Sequence, residues 1–186
     1  CDLEQDEQKA ADQVERDLQQ YPVFVKPANA GSSVGVSKAS NREELIAAMH
    51  KAAKEDRKIL IEENIIGQEV ECAVLGNDKP VASQVGEIAP SSDFYDYDDK
   101  YINGTSGLYI PAHLNERTSL ILRERAVKAY RLLGCSGLAR VDFFVRKSDG
   151  EVLLNELNTL PGFTSISMYP KLKEADGVPM EELLDQ

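Results

Sequence analysis

Arg140 and Asp142 stand two residues apart, and so do Glu156 and Asn158. If each pair lies on a strand, its members share a face, because side chains alternate along a strand. Between the pairs, Ser148-Asp149-Gly150 suits a three-residue hairpin loop with glycine in the left-handed position. That loop pairs Lys147 with Glu151, setting Asp142 opposite Glu156 and Arg140 opposite Asn158. A two- or four-residue loop would split the pairs across the sheet. In the three-residue register, two carboxylates, an amide oxygen and a guanidinium converge on one patch. Hard oxygen ligands of this kind suit magnesium, which keeps waters and bridges carboxylates to substrate phosphates. The guanidinium can face an anionic oxygen nearby. The same four residues would also make a plain cross-strand ion-pair cluster on a solvated face. Two features favour a site. The strands are otherwise apolar (Val141, Phe143, Phe144, Leu153, Leu154, Leu157), and the second runs into Thr159-Leu160-Pro161-Gly162-Phe163-Thr164-Ser165, a turn that exposes backbone N–H groups.

Three weaker constellations accompany this one. Lys26 closes a hydrophobic strand just before Pro27, and Gly31-Ser32-Ser33-Val34-Gly35 follows. A fixed ammonium beside such a loop can hold phosphate oxygens through charge and backbone N–H groups. The spacing is not that of a P-loop, and an ordinary hairpin turn with a snorkelling lysine fits as well. Glu62 ends a strand, where its carboxylate could accept from an adenine amino group, and Glu69 begins the next. Both also read as solvated strand ends. Phe94-Tyr95-Asp96-Tyr97-Asp98-Asp99-Lys100-Tyr101 is acidic but lacks the turn glycine of a calcium loop. It reads either as a solvated loop or as a lid, with Lys100 reaching a terminal phosphate and Tyr101 packing over the pocket.

The elements that must position these residues follow from periodicity. Ala10, Val14 and Leu18 put a thin apolar stripe on a helix over residues 5–19. Strands are expected at 21–27, 34–37, 58–63, 69–76, 81–88, 137–146 and 151–157. Ser40 and Glu43 form a capping box for a helix that buries Leu45, Ile46, Met49 and Ala53. A long amphipathic helix over 115–133 stops at Gly134. Residues 90–108 read as a mobile loop. Strands outnumber helices and hairpins dominate, so the expected fold is α+β with mostly antiparallel sheets. The organisation expected is a lead-in helix (1–20), a small lobe with the glycine-rich loop (21–66), and a larger lobe with the lid and metal residues (67–186).

Hydrophobic residues make up 42% of the 186, enough for a core despite a net charge of −11. That acidity argues against nucleic acid as a partner. It leaves room for a nucleotide held by local cations and a metal. Cys1, Cys72 and Cys135 are scattered and have no metal-ligand spacing, which suits reduced, structural thiols in a cytoplasmic protein. No apolar run approaches the roughly 20 residues of a membrane helix, and no signal peptide opens the chain. Both ends read as cut from something longer.

With these motifs in hand, the chain resembles the D-alanine–D-alanine ligases of the ATP-grasp superfamily from about Tyr21 to Leu184. The motifs occur in the family order: Val25-Lys26-Pro27 with Gly31-Ser32-Ser33-Val34-Gly35, Glu62-Glu63-Asn64-Ile65, Gly67-Gln68-Glu69, Phe94-Tyr95-Asp96-Tyr97 with Lys100-Tyr101, Arg140-Val141-Asp142, and Asn155-Glu156-Leu157-Asn158 running on to Ser165. The resemblance implies two ATP-grasp lobes clasping ATP. Asp142, Glu156 and Asn158 would hold two magnesium ions, or manganese in their place. Lys26 and Lys100 would contact phosphates, Glu62 the adenine and Glu69 the ribose, with Ser33, Glu63, Ile65, Phe144 and Asn155 completing the nucleotide site. Arg140 and the Gly162 N–H would stabilise a tetrahedral intermediate. Ser32, Glu69 and Tyr101 would link the lid to the glycine-rich loop, and Ser167 and Met168 would line the site for the second D-alanine.

The implied reaction joins two D-alanines through an acyl phosphate, for peptidoglycan. The resemblance also implies a cytoplasmic homodimer and an N-terminal domain that this chain lacks, together with an upstream phosphate-binding lysine. The fragment alone is therefore expected to be inactive. D-Serine or D-lactate as second substrate, and a nucleotide-binding module without catalysis, are the competing expectations.

Overall fold

The computed structural model describes residues 6–31, 33–89, 107–164 and 166–185. The described residues fall into two compact units, one ending at Ile65 and the other beginning at Ile66. Each has its own core.

In the first unit, α1 (Glu7–Leu18) and α2 (Arg42–Ala53) accompany a three-stranded antiparallel sheet of order β2-β1-β3. Its strands are β1 (Val23–Pro27), β2 (Ser37–Ala39) and β3 (Ile59–Glu63). Ala10 and Ala11 of α1 join Val23, Val25, Leu45, Ala48 and Met49 in one buried cluster. Small residues on α1 let it lie close to α2, and Arg42 ties the two together with ion pairs of 2.6 Å to both Asp12 and Glu15.

The cap of α2 sits one residue later than the capping-box reading. Asn41 is the N-cap and accepts from the Glu44 N–H at 3.0 Å, while Glu44 accepts from the Ser40 N–H at 2.8 Å. Serine and asparagine cap about equally well, so sequence alone did not separate them. The helix buries Leu45, Ala48, Met49 and Ala52, with Ile46 partly buried against the same cluster and Ala53 exposed.

The second unit is built on a five-stranded antiparallel sheet of order β6-β5-β4-β7-β8. The strands are β4 (Gly67–Leu75), β5 (Val81–Ala89), β6 (Gly107–Tyr109), β7 (Leu138–Arg146) and β8 (Val152–Asn158). The helix α3 (Glu116–Leu132) packs Leu122, Ala126 and Tyr130 against Val70, Cys72, Val74, Val141 and Phe143. Its end follows expectation, with Gly134 in the left-handed region at φ 66°. On the other face lies α4 (Met168–Ala175), followed by α5 (Met180–Asp185). Gly86 permits that close approach, since a Cβ there would stand 2.8 Å from the Met168 sulfur. Tyr169, fully buried, donates to the Val74 carbonyl at 3.1 Å. Strand β6 begins inside the range read as a loop. Residues 90–106, with Lys100 and Tyr101, lie outside the described residues, as do Ser32 and Ser165.

The β7–β8 hairpin holds the one correction that bears on function. Its loop has four residues, not three. The Arg146 N–H donates to the Glu151 carbonyl at 2.9 Å, and the Gly150 N–H donates to Arg146 at 2.8 Å. Gly150 does take the left-handed conformation, at φ 73°. By itself this loop would throw the two polar pairs onto opposite faces. A β-bulge prevents it: Phe143 pairs with Leu154 but Asp142 pairs with Glu156, leaving Asn155 as the extra residue. The bulge undoes the one-residue shift. Arg140 therefore stands opposite Asn158 and Asp142 opposite Glu156, as the sequence predicted.

A strong stability prediction arises at Gly67, which pairs with Arg146 on β7. A Cβ at this position would lie 2.1 Å from the Val145 carbonyl oxygen. The colliding atom is backbone, so β4 must part from β7 to make room. Gly67→Ala is expected to cost about 2–3 kcal/mol, read as a lower urea midpoint with an unchanged slope.

Candidate active site

The site in the second unit is a row of charged residues across three neighbouring strands. Glu71 on β4 pairs with Asp142 on β7, and Asp142 pairs with Glu156 on β8. Directly opposed residues share a face, so three carboxylates lie on one side of the sheet. The α3 core is on the other. Arg140 and Asn158 stand two residues along on the same face.

Arg140 organises the row. Its Nε donates to one Asp142 oxygen at 2.8 Å and its Nη2 donates to the other at 2.7 Å. This is the two-pronged geometry that suits a guanidinium facing a carboxylate. The Nε also lies 3.1 Å from Glu71. Side-chain exposure is only 19% for Arg140 and 11% for Asp142. Burial by itself would lower the Arg140 pKa, but its hydrogen bonds to Asp142 and the charges of Asp142, Glu71 and Glu156 outweigh that and raise it. Arg140 is therefore a permanent buried cation. The ion-pair cluster foreseen as an alternative is thus present, but it is buried, and one end of the row opens to solvent at the exposed Glu156.

Among the described residues, no three His, Cys, Asp or Glu side chains form a group that could hold a metal unaided. The donors here are two carboxylates, Asp142 and Glu156, and the Asn158 amide, whose oxygen accepts from the Leu160 N–H at 3.4 Å. A carboxylate has about four lone-pair positions, so Asp142 can serve Arg140 and a cation together. The set fits magnesium bound jointly with phosphates rather than a free-standing metal site.

The turn after β8 is held by Ser167. This residue is the N-cap of α4, yet its hydroxyl caps nothing there. It accepts from the Thr164 N–H at 3.1 Å and lies 2.9 Å from the Thr164 hydroxyl. A Cβ on Gly162 would stand 2.8 Å from the Ser167 oxygen, so the chain at Gly162 passes close to that hydroxyl. Gly162 is exposed and Met168 buried. Glu69 faces the same side as Glu71, opposite Phe144, and both Glu69 and Phe144 are half-buried. Asn155 is the bulge residue.

In the first unit, Lys26 and Glu62 form an ion pair of 2.9 Å, with Lys26 the more buried partner. The strand-end lysine is thus set by a glutamate on the neighbouring strand. Ser33 takes φ 59° in the turn before Gly35, whose own φ is 74°. Glu63 and Ile65 lie at and just beyond the end of β3, half-buried. Glu71 was not singled out from the sequence. Its signal was available, because Glu69 and Glu71 are two apart on one predicted strand and must share a face.

The α+β fold with antiparallel sheets is the ATP-grasp fold, as the likeness to the solved ligases given below shows. A family model described as D-ala D-ala ligase C-terminus matches residues 2–186, and the chain belongs to that family. It is 63% identical over 166 residues to the D-alanine–D-alanine ligase of Acetivibrio thermocellus, covering 89% of this chain and 44% of that protein. With the corresponding ligase of Ruminiclostridium cellulolyticum it shares 60% over 168 residues, covering 89% and 45%.

Among solved structures, it resembles the VanG D-Ala:D-Ser ligase of Enterococcus faecalis at TM-score 0.85 and 44% identity, over 96% of this chain and 52% of that one. It also resembles the D-alanine–D-alanine ligase of Coxiella burnetii at TM-score 0.79 and 40% identity, over 92% and 45%. The chain spans a little under half the length of these two curated relatives. No helix among the described residues is long and apolar enough to cross a membrane.

Proposed function

We propose that this chain is the ATP- and metal-binding part of a ligase that joins two D-alanines into D-alanyl-D-alanine for peptidoglycan, in the cytoplasm. The observation that carries the reading is the shared face of Arg140, Asp142, Glu156 and Asn158, fixed by register rather than by chance proximity. Family membership supports the substrate class.

In this reading the first unit supplies Lys26 and the Ser33–Gly35 turn to phosphate oxygens, and Glu62, Glu63 and Ile65 to the base. The second supplies Glu69 to the ribose, with Phe144 and Asn155 beside the nucleotide. Asp142, Glu156 and Asn158 hold two magnesium or manganese ions. When bound, those ions offset charge on the phosphates. Ser32, Lys100 and Tyr101 belong to the same proposal as residues of the loop and the lid.

A D-alanine carboxylate oxygen attacks the γ-phosphorus, and the bond to the β-bridging oxygen breaks. The products of this step are an acyl phosphate and ADP. The amine of a second D-alanine, seated by Ser167 and Met168, then attacks the acyl carbon and loses a proton. Arg140 and the Gly162 N–H receive the negative oxygen of the tetrahedral intermediate. Collapse releases inorganic phosphate and the dipeptide. The whole protein is read as a homodimer whose N-terminal domain helps bind the first D-alanine.

The test is phosphate release from ATP by the whole protein. It should require D-alanine and yield D-alanyl-D-alanine. ATP hydrolysis indifferent to D-alanine would overturn the ligase reading. The 44% identity to a D-Ala:D-Ser ligase favours one second reading, which mixed D-alanine, D-serine and D-lactate would reveal as a different dipeptide or depsipeptide.

A further inference from the structure

Arg140 has two carboxylates against it, and the proposed reaction assigns a role to only one. Asp142 takes both of the guanidinium's aligned hydrogen bonds, and it is also a proposed metal ligand. A cation that draws electron density from Asp142 weakens its grip on Arg140. The arginine would then sit in a buried place with its principal counter-charge already shared. Glu71 stands one strand away, directly opposite Asp142, with its carboxylate 3.1 Å from Nε and a side-chain exposure of 8%. It faces Arg140 from the side away from Glu156. On β5 the residue opposite Glu71 is Gly86, which brings no charge of its own.

We infer that Glu71 is a positioning residue for Arg140. It keeps the guanidinium on the sheet, aimed along the row, while Asp142 serves a divalent cation. The inference rests on the reading of Arg140 as the group that receives the oxyanion, and adds to it the residue that holds Arg140 in place. Geometry limits the alternatives. A carboxylate this buried needs a cationic partner, and Arg140 lies at contact distance from it. The hydrogen on Nε points to Asp142, so Glu71 acts chiefly through charge and a fixed short distance. A glutamine of the same shape would keep the volume and lose the charge.

Two measurements on the same variants test this. The first needs no ligase activity. The Nε–H resonance of Arg140, assigned by its loss in Arg140→Lys, should exchange slowly with solvent in the wild-type protein. It should survive Asp142→Asn, because Glu71 still holds the guanidinium, and should be lost in Asp142→Asn with Glu71→Gln. Persistence of the signal in that double variant would overturn the inference.

The second is kinetic. Glu71→Gln in the whole protein should lower kcat on the order of 10- to 100-fold, the scale of a small misplacement of a catalytic group. KM for ATP should change less than kcat, because Arg140 is assigned to the oxyanion rather than to the nucleotide. Glu71→Asp should recover part of the loss. A variant with lowered melting temperature and unchanged kcat would make Glu71 purely structural and contradict the proposal. If no variant and not even the wild type releases phosphate on adding D-alanine, the ligase reading fails, and the exchange measurement alone decides whether Glu71 holds Arg140.

Discussion

Replacing Asp142 with Asn and Glu156 with Gln together is expected to lower ATP-dependent phosphoryl transfer by on the order of 10³-fold or more. The estimate follows from metal ions contributing several kcal/mol of charge stabilisation, with each 1.4 kcal/mol or so worth tenfold in rate. Both substitutions keep shape and remove charge, so the row across β4, β7 and β8 stays in place. Glu156 is exposed, and Glu156→Gln alone should leave stability within about 0.5 kcal/mol of the parent. Asp142 is buried against Arg140, so Asp142→Asn carries a stability cost that the single Glu156 variant does not. A rate loss in Glu156→Gln at unchanged melting temperature therefore isolates metal binding from folding. A normal rate with the double variant would remove the proposed metal site from the reaction.

The second large effect is expected at Arg140, and it has two parts. Arg140→Met should lower kcat by about 10²- to 10³-fold, the loss seen when one donor to a developing oxyanion is removed. It should also destabilise the second unit by about 3–5 kcal/mol, because removing one partner leaves buried charge without its counter-ion. Asp142 and Glu71 are both left in that state. The two parts can be separated. Arg140→Met combined with Glu71→Met replaces two opposed charges with apolar side chains of similar length. Stability should recover only in part, since Glu71 is no longer a buried charge without a counter-ion while Asp142 still is. Activity should not recover. Chemical denaturation reads the first and single-turnover kinetics the second. Activity that followed stability across both variants would show that Arg140 matters only for folding.

How much of this was legible beforehand depends on the residue. The antiparallel α+β character, the order of the longer elements up to β8 and the left-handed Gly134 and Gly150 followed from alternation, amphipathic spacing and turn chemistry, whereas the short β6 and the closing helices α4 and α5 did not. The facing of Asp142 and Glu156 was right, but through two one-residue departures of opposite effect. The loop after β7 is one residue longer than Ser148–Gly150 alone suggests, and Asn155 is bulged out of register. Nothing in the type of Asn155 marks a bulge. What fixes it is the need to keep Val152 in the core while Glu156 and Asn158 stay on the opposite face, and that need is tertiary. Asn41 and Ser40 compete for one cap on equal terms, so the α2 start was a near choice. Glu71 escaped attention for a different reason. Its strand neighbours Cys72, Ala73 and Val74 are all fully buried, and only the pairing of β4 with β7 shows which charge it meets.

The most direct test of the central claim is manganese binding, followed by paramagnetic resonance, with and without a non-hydrolysable ATP analogue. Two carboxylates and an amide do not make a full coordination sphere, so the ion should bind tightly only when phosphates complete it. Manganese binding should be saturable, should require the analogue and should disappear in Asp142→Asn with Glu156→Gln. Manganese bound equally well by that double variant in the presence of the analogue would contradict that claim.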